Sequence, residues 1–329
     1  MKWLTPRTYR LWRDVGLRGY DADQCPDESW HGRNDARNSA FADLLFSSGL
    51  RLREGGCLLT LEVPEALSSH RYYEGTVAAS VAKRRERMFY VSAAALQQVS
   101  AYIQTTRQEA IRNAHRRGRY EAIPNKVIVT RVGRGVARKL AWVDSNGEQR
   151  WASINAIKPD ERMQLFIEPP GGGLEPLWLW LTEGGMPMAY ESWEKVFETA
   201  DRRVKAVFGD ASRRDGKKRI PIECNPHMLR HSFALHMLVA LHHALDRRFG
   251  LTPEERKHFR NVYGDPWVMV RDLLGHKSEQ TTRKVYLEPL NGLKVRALLD
   301  RDDDLETMLT RVAASSRLVI DLDPAEEGE

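Results

Sequence analysis

Asn225-Pro226-His227-Met228-Leu229-Arg230 places two basic side chains three residues apart where a helix should start. Asn225 can accept a hydrogen bond from an unpaired N–H of the first turn, and Pro226 suits the first helical position. Side chains at i and i+3 share a face, so His227 and Arg230 project together beside the helix N-terminus. An imidazole and a planar guanidinium displayed there are placed to hold a phosphate. Leu229, Phe233 and Leu238 are left to pack inward. Downstream lie Leu273-Leu274-Gly275-His276 and then Thr281-Thr282-Arg283-Lys284-Val285-Tyr286, which puts a phenol ten positions after His276. His227 and His231, four apart, are also spaced to share a metal ion. The intervening Arg230, however, sets a cation where zinc sites prefer a carboxylate.

These residues need elements to position them. Residues 1–34 are polar and broken by Gly and Pro, which reads as an arm or linker. An amphipathic helix is expected from Asp35, with Phe41, Leu44, Leu45 and Ser48 on one face and Gly49 as its stop. Leu58–Val63 reads as a short buried strand. Thr76–Val81 and Met88–Val91 read as strands flanking the basic turn Lys83-Arg84-Arg85-Glu86-Arg87. A helix from Ala93 to His115 follows, ending in a basic run (Arg112, Arg116, Arg117, Arg119) that reads as a solvated helix end. Residues 125–173 form a β-rich insertion. In it Asn146-Gly147 marks a hairpin, and Trp142 and Trp151 beside it read as packing residues. Helices are expected at 190–208, 226–247, 253–262, 266–275, 278–286 and 293–313. His231, His236, His242 and His243 read as structural.

Charge narrows the partner. The chain has 51 Lys+Arg against 45 Asp+Glu, a net +6. Residues 300–329 hold 3 basic and 10 acidic residues, leaving 48 against 35, or +13, for the rest. A basic body attracts polyanions, with counterion release driving much of the binding; the alternative is a solubilising surface. With 42% apolar and 29% charged residues this is neither a disordered nor a membrane composition. No bilayer-length apolar window and no signal peptide are read, and three scattered cysteines (Cys25, Cys57, Cys224) suggest a reducing, cytoplasmic compartment.

His-x-x-Arg followed by Leu-Gly-His and a nearby Tyr resembles the signature of the tyrosine recombinases, the phage-integrase family. Ser48-Gly49-Leu50-Arg51-Leu52-Arg53-Glu54 resembles the turn that carries the family's first arginine. Lys83, in Ala82-Lys83-Arg84-Arg85-Glu86-Arg87, matches the position of its hairpin lysine. Pro176-Leu177-Trp178-Leu179 is similar to its strand leading into the later helices. Five matches stand in the family's order over most of residues 35–300.

The resemblance implies an α+β fold, mostly helical, with a small antiparallel β-sheet to which this chain adds a β-hairpin insertion. It implies a catalytic domain over 35–299 and an acidic segment over 300–329. The implied reaction is strand cleavage and rejoining of double-stranded DNA with no cofactor and no metal. Tyr286 attacks the phosphate, and a phosphotyrosine conserves the bond energy for rejoining. Arg51 and Arg230 clamp the non-bridging oxygens, Lys83 protonates the leaving 5′-oxygen, His276 donates a hydrogen bond, and His227 assists proton handling. Glu54 reads as a structural partner that orients basic neighbours. The family's tetramers on DNA imply self-association through the C-terminal segment, here Leu293–Val312. The chain departs from the family in three ways. The His276–Tyr286 spacing is one longer than commonest, the link Leu241–Gly264 is extended, and too little chain precedes Ser48 for the family's N-terminal DNA-binding domain. A type IB topoisomerase and an inactive DNA-binding protein on the same fold stand as alternatives.

Overall fold

A computed structural model describes residues 3–66, 70–82, 86–133, 138–216, 221–247, 265–275, 278, 280 and 319–320. The chain divides into two compact units, His31–Val196 and the pair of segments Met1–Trp30 and Phe197–Glu329.

The described elements begin with β1 (Trp3–Leu4), α1 (Pro6–Arg18), α2 (Asp35–Ser48) and α3 (Leu52–Gly56). A hairpin of β2 (Tyr72–Val77) and β3 (Arg87–Ser92) leads into α4 (Ala93–Gln104) and α5 (Thr106–Arg116). Next come β4 (Val127–Val132), β5 (Lys139–Val143), β6 (Gln149–Ser153), α6 (Pro159–Arg162), β7 (Leu165–Ile167) and β8 (Glu175–Pro176). The chain continues through α7 (Ser192–Asp215), α8 (Pro226–Arg247), α9 (Pro266–Leu274) and β9 (Val319–Ile320). Long helices beside small, mostly antiparallel sheets make the fold α+β, as expected.

In the unit His31–Val196, α2 runs as the sequence predicts. Gly49 ends it in the left-handed conformation (φ 64°), returning its N–H to the Leu45 carbonyl at 3.0 Å. Phe41 stacks on Trp193 (ring centroids 3.7 Å apart) and meets Trp180 edge-on, while Tyr102 stacks on Trp180. The expected helix 93–115 is two helices, because Thr105 leaves helical geometry (φ −115°, ψ −90°) and its hydroxyl bonds the Ala101 carbonyl. The expected strand Leu58–Val63 reduces to one bridge, Leu59 to Trp178, followed by a 3₁₀ turn at Thr60–Glu62. Glu62 folds back to accept from the Leu59 N–H and also takes Arg162, and both bonds favour the turn over a ladder. β2 lies earlier than the predicted Thr76–Val81, so residues 78–82 are turn.

The insertion is more than a hairpin. It is a five-stranded sheet of order β6-β5-β4-β7-β8, antiparallel except for the β4–β7 pair. The hairpin lies at the predicted place but uses a three-residue loop. Only Gly147 takes positive φ (78°), while Asp144 Oδ1 accepts from the Asn146 and Glu148 N–H groups.

In the other unit the reading of residues 1–34 as an arm is corrected. Thr5 caps α1, Pro6 occupies its first turn and Gly19 (φ 78°) ends it. Tyr9, Trp12, Val15 and Leu17 bury its apolar face, where Trp12 stacks on Phe197 (5.2 Å). Polar residues between these positions masked the helical spacing. β1 pairs in parallel with β9, so the acidic segment contributes Val319 and Ile320 to a ladder with Trp3 and Leu4. Trp3, Phe233, Leu238, Trp267, Val270 and Leu274 form the core between α8 and α9. The helices expected at 253–262, 278–286 and 293–313 fall outside the described residues, apart from Ser278, which is not helical, and Gln280, which is.

Asp201 accepts from Trp12 Nε1 (2.7 Å) and the Cys224 N–H (3.0 Å), and burial raises its carboxyl to about 6. Because the folded value lies above the unfolded one, its contribution is complete below about pH 4 and is lost as pH rises through 6. Asp201→Asn keeps an acceptor without the charge. Its Tm relative to wild type should therefore rise between pH 4 and pH 7 in thermal denaturation, and a difference independent of pH would show that Asp201 ionises freely.

Candidate functional site

The turn before α3 is built on a buried carboxylate. Leu50 is fully buried and Arg51 is the extended residue preceding the helix (φ −71°, ψ 157°). Glu54, one turn into α3 and only 1% exposed, accepts from the Arg51 N–H at 2.8 Å and from Arg51 Nη1 at 2.7 Å. Arg87 at the start of β3 donates to Oε2 of the same carboxylate, the oxygen that also accepts from the Arg51 N–H. A buried carboxylate needs such compensation, and the two guanidiniums supply it. The consequence runs outward: Arg51, 28% exposed at its side chain, has its guanidinium plane set by Glu54. Glu54 thus orients basic neighbours, as its place in the turn suggested. Arg87 is the partner that sequence reading assigned to the charged turn. The signal was available, since Arg87 directly precedes the strand Met88–Val91.

The second group lies on α8, in the other unit. Asn225 Oδ1 accepts from the Met228 N–H at 2.9 Å, and Pro226 starts the helix, as the sequence predicts. His227 is exposed, whereas Arg230 is 3% exposed and donates from Nη2 to the Leu274 carbonyl. That bond ties the His-x-x-Arg helix to the last residue of α9, where Gly275 (φ 61°) ends the helix just before His276 in sequence. His227 Nε2 lies 2.7 Å from His231 Nε2, so one ring donates to the other. His231 is buried and meets Trp3 edge-on. Sequence reading noticed the spacing of this pair only as a metal possibility. Among the described residues no three His, Cys, Asp or Glu side chains gather to hold a metal.

The structure therefore places Arg51 in one unit and His227 with Arg230 in the other. Lys83, His276 and Tyr286 lie outside the described residues. Other titratable groups are built for structure. Burial pushes the Cys57 thiol up to about 12 and Cys224 well above its usual value, so neither offers a thiolate. Burial also lowers His236 to about 4, leaving it neutral against the Leu4 carbonyl.

No family model and no curated protein sequence matches this chain. Among solved structures it is similar to the XerH site-specific recombinase bound to its difH substrate (14% identity, TM-score 0.39, covering 87% of this chain and 50% of that one). It is similar also to the XerA recombinase (12%, 0.43, 96% and 65%). A third is the Tn1549 transposon integrase with transposon right end DNA (14%, 0.40, 86% and 61%). The chain thus spans 50–65% of the length of these three proteins.

Removing the shared carboxylate should leave two cations facing each other in a buried turn. Glu54→Ala is expected to lower unfolding free energy by about 3 kcal/mol, read from urea titration. Glu54→Gln should be destabilising as well, since its amide nitrogen confronts donors. A loss under about 1 kcal/mol for both would mean that solvent replaces the carboxylate.

Proposed function

We propose that this chain is a tyrosine recombinase that cleaves and rejoins double-stranded DNA through a 3′-phosphotyrosine at Tyr286. The observation that carries the reading is the oriented guanidinium of Arg51, fixed by buried Glu54, in a chain that also presents His-x-x-Arg, Leu-Gly-His and Tyr in the order of the signature it resembles. Transesterification at phosphorus forms the bond from the Tyr286 oxygen as the bond to the 5′-oxygen breaks. The phenol loses its proton and the leaving oxygen gains one, so charge peaks on the non-bridging oxygens. Arg51 and Arg230 meet that charge with planar forks that stay protonated throughout. Lys83 supplies the proton to the 5′-oxygen, while His276 and His227 bond the phosphate and handle protons. The reverse attack by a 5′-hydroxyl restores a phosphodiester, so no energy cofactor enters.

The arrangement of Arg230 supports this assignment. A guanidinium anchored at one edge on a carbonyl keeps a fixed plane, and preorganised charge lowers a barrier more than mobile charge does. The His227–His231 contact likewise restrains the His227 ring. In the full reaction, copies bound to two DNA sites exchange the segment Leu293–Val312, and recombination is site-specific. A topoisomerase would form the same adduct without exchanging strands.

Nicked duplex suicide substrates test the reading. Wild type should give a denaturation-resistant protein–DNA band that EDTA leaves unchanged and Tyr286→Phe abolishes. Arg51→Ala and Arg230→Ala should slow its appearance by about 10² to 10³ each. An adduct that persists in Tyr286→Phe moves the nucleophile elsewhere. No adduct from a wild type that binds DNA makes the chain a binding protein.

A further inference from the structure

We infer that the outward face of the β4–β5–β6 sheet is a second, non-catalytic contact surface for duplex DNA. The inference takes its ligand class from the proposed reaction but stands on a different part of the molecule. Cross-strand register puts Arg131, Ala141 and Trp151 in one row over three strands, with Lys139 and Ser153 in the next and Val143 and Gln149 beyond. Directly paired residues point to the same side of a sheet, so these side chains share a face. The opposite face is the packed one: Leu140 is fully buried and Val129 nearly so.

An ordinary half-buried sheet turns polar residues outward. This one turns out Trp151 at 64% and Val143 at 55% exposure, against the sequence-based expectation that Trp151 packs. The Lys139 ammonium lies 4.2 Å from the centre of the Trp151 ring, which leaves much of the indole open to solvent. Charge selects the partner. Residues 126–153 hold six basic and two acidic side chains. Both carboxylates, Asp144 and Glu148, are taken by Arg150 at 2.8 and 2.6 Å. Among the described residues neither Arg131 nor Lys139 has a carboxylate in ion-pair range. A second copy of this face would set cation against cation, and a purely apolar partner would strand both charges. A nucleic-acid strand answers both features, because phosphates alternate along it with apolar sugar faces. Arg131 and Trp151, two strands apart, are separated by about 10 Å.

The test uses the full chain, a labelled random-sequence duplex and anisotropy over a salt series. Each phosphate contact adds about 0.9 to the slope of log affinity against log salt, so Arg131→Ser with Lys139→Ser should flatten that slope by about 1.8. Trp151→Ala should weaken binding about tenfold at unchanged slope, with Trp151→Phe restoring most of it. All three side chains are exposed, so unchanged circular dichroism and Tm are expected. Adduct formation on a short nicked substrate is measured in parallel. Variants that bind as wild type does, while the adduct still forms, overturn the surface and spare the reaction. Affinity losses without any adduct from wild type overturn the reaction and spare the surface. A concentration-dependent self-association that Trp151→Ala abolishes would make the face a protein interface and overturn the inference.

Discussion

A buried guanidinium must find acceptors for five N–H donors in a fixed plane, and His31–Val196 is organised around that demand. Arg162, fully buried, is held by Glu62 and by the carbonyls of Cys57, Ile154 and Ile157, which joins the 3₁₀ turn to the end of β6. Arg107, 2% exposed, donates to the carbonyls of Pro176, Trp178 and Leu179, so the apolar run Leu177–Leu181 is pinned along its backbone. Arg37 bonds the next carbonyl but one, Leu181, and faces Trp193. Burial lowers the pKa of Arg37 and Arg107, but arginine starts high enough to stay charged. Losing any of these acceptors would strand a buried charge, so the backbone segments they hold have little freedom to move apart.

The same device recurs where chemistry is proposed. Glu54 fixes Arg51, and the Leu274 carbonyl holds Arg230. Each of the two arginines proposed to bind phosphate is thus oriented by a buried acceptor inside its own unit. Stabilising a transient phosphorane asks for charges that do not have to reorganise when the oxygens become more negative. Lysine in either place would be a point charge on a flexible stem, without the second edge that anchors the first.

The sequence made the local parts legible where one side chain decides the backbone. Gly49 ended a helix, Asn225-Pro226 started one, and Gly147 turned a hairpin. It failed where distant partners decide. Leu58–Val63 has strand-like residues, yet Glu62 is drawn to Arg162 across a hundred positions and closes a turn instead. The first 34 residues look polar because Trp3, Tyr9 and Trp12 are separated by arginines. Their burial depends on Phe197 and α8, which no local pattern announces. Short motifs single out Arg51, His227 and Arg230 as candidates from sequence alone. The Arg87 contact with Glu54 and the His231 contact with His227 are not legible in sequence alone, because they arise only from what folding brings together.

The exposed tryptophan fits the same logic from the other side. β6 is the edge strand of its sheet, and an edge presenting an exposed indole, with Val143 exposed on β5 beside it, invites pairing with another chain. Positive charge is the usual guard against such pairing, and Lys139 on the Trp151 ring with Arg131 in the same row provides it. The guard repels copies of the same chain while attracting phosphates, so one arrangement gives both solubility and selectivity. Arg150 strengthens it indirectly: by pairing with Asp144 and Glu148 it offsets part of the negative charge at the hairpin end. A hydrophobic surface that no apolar partner can cover without burying two cations is thereby reserved for a polyanion.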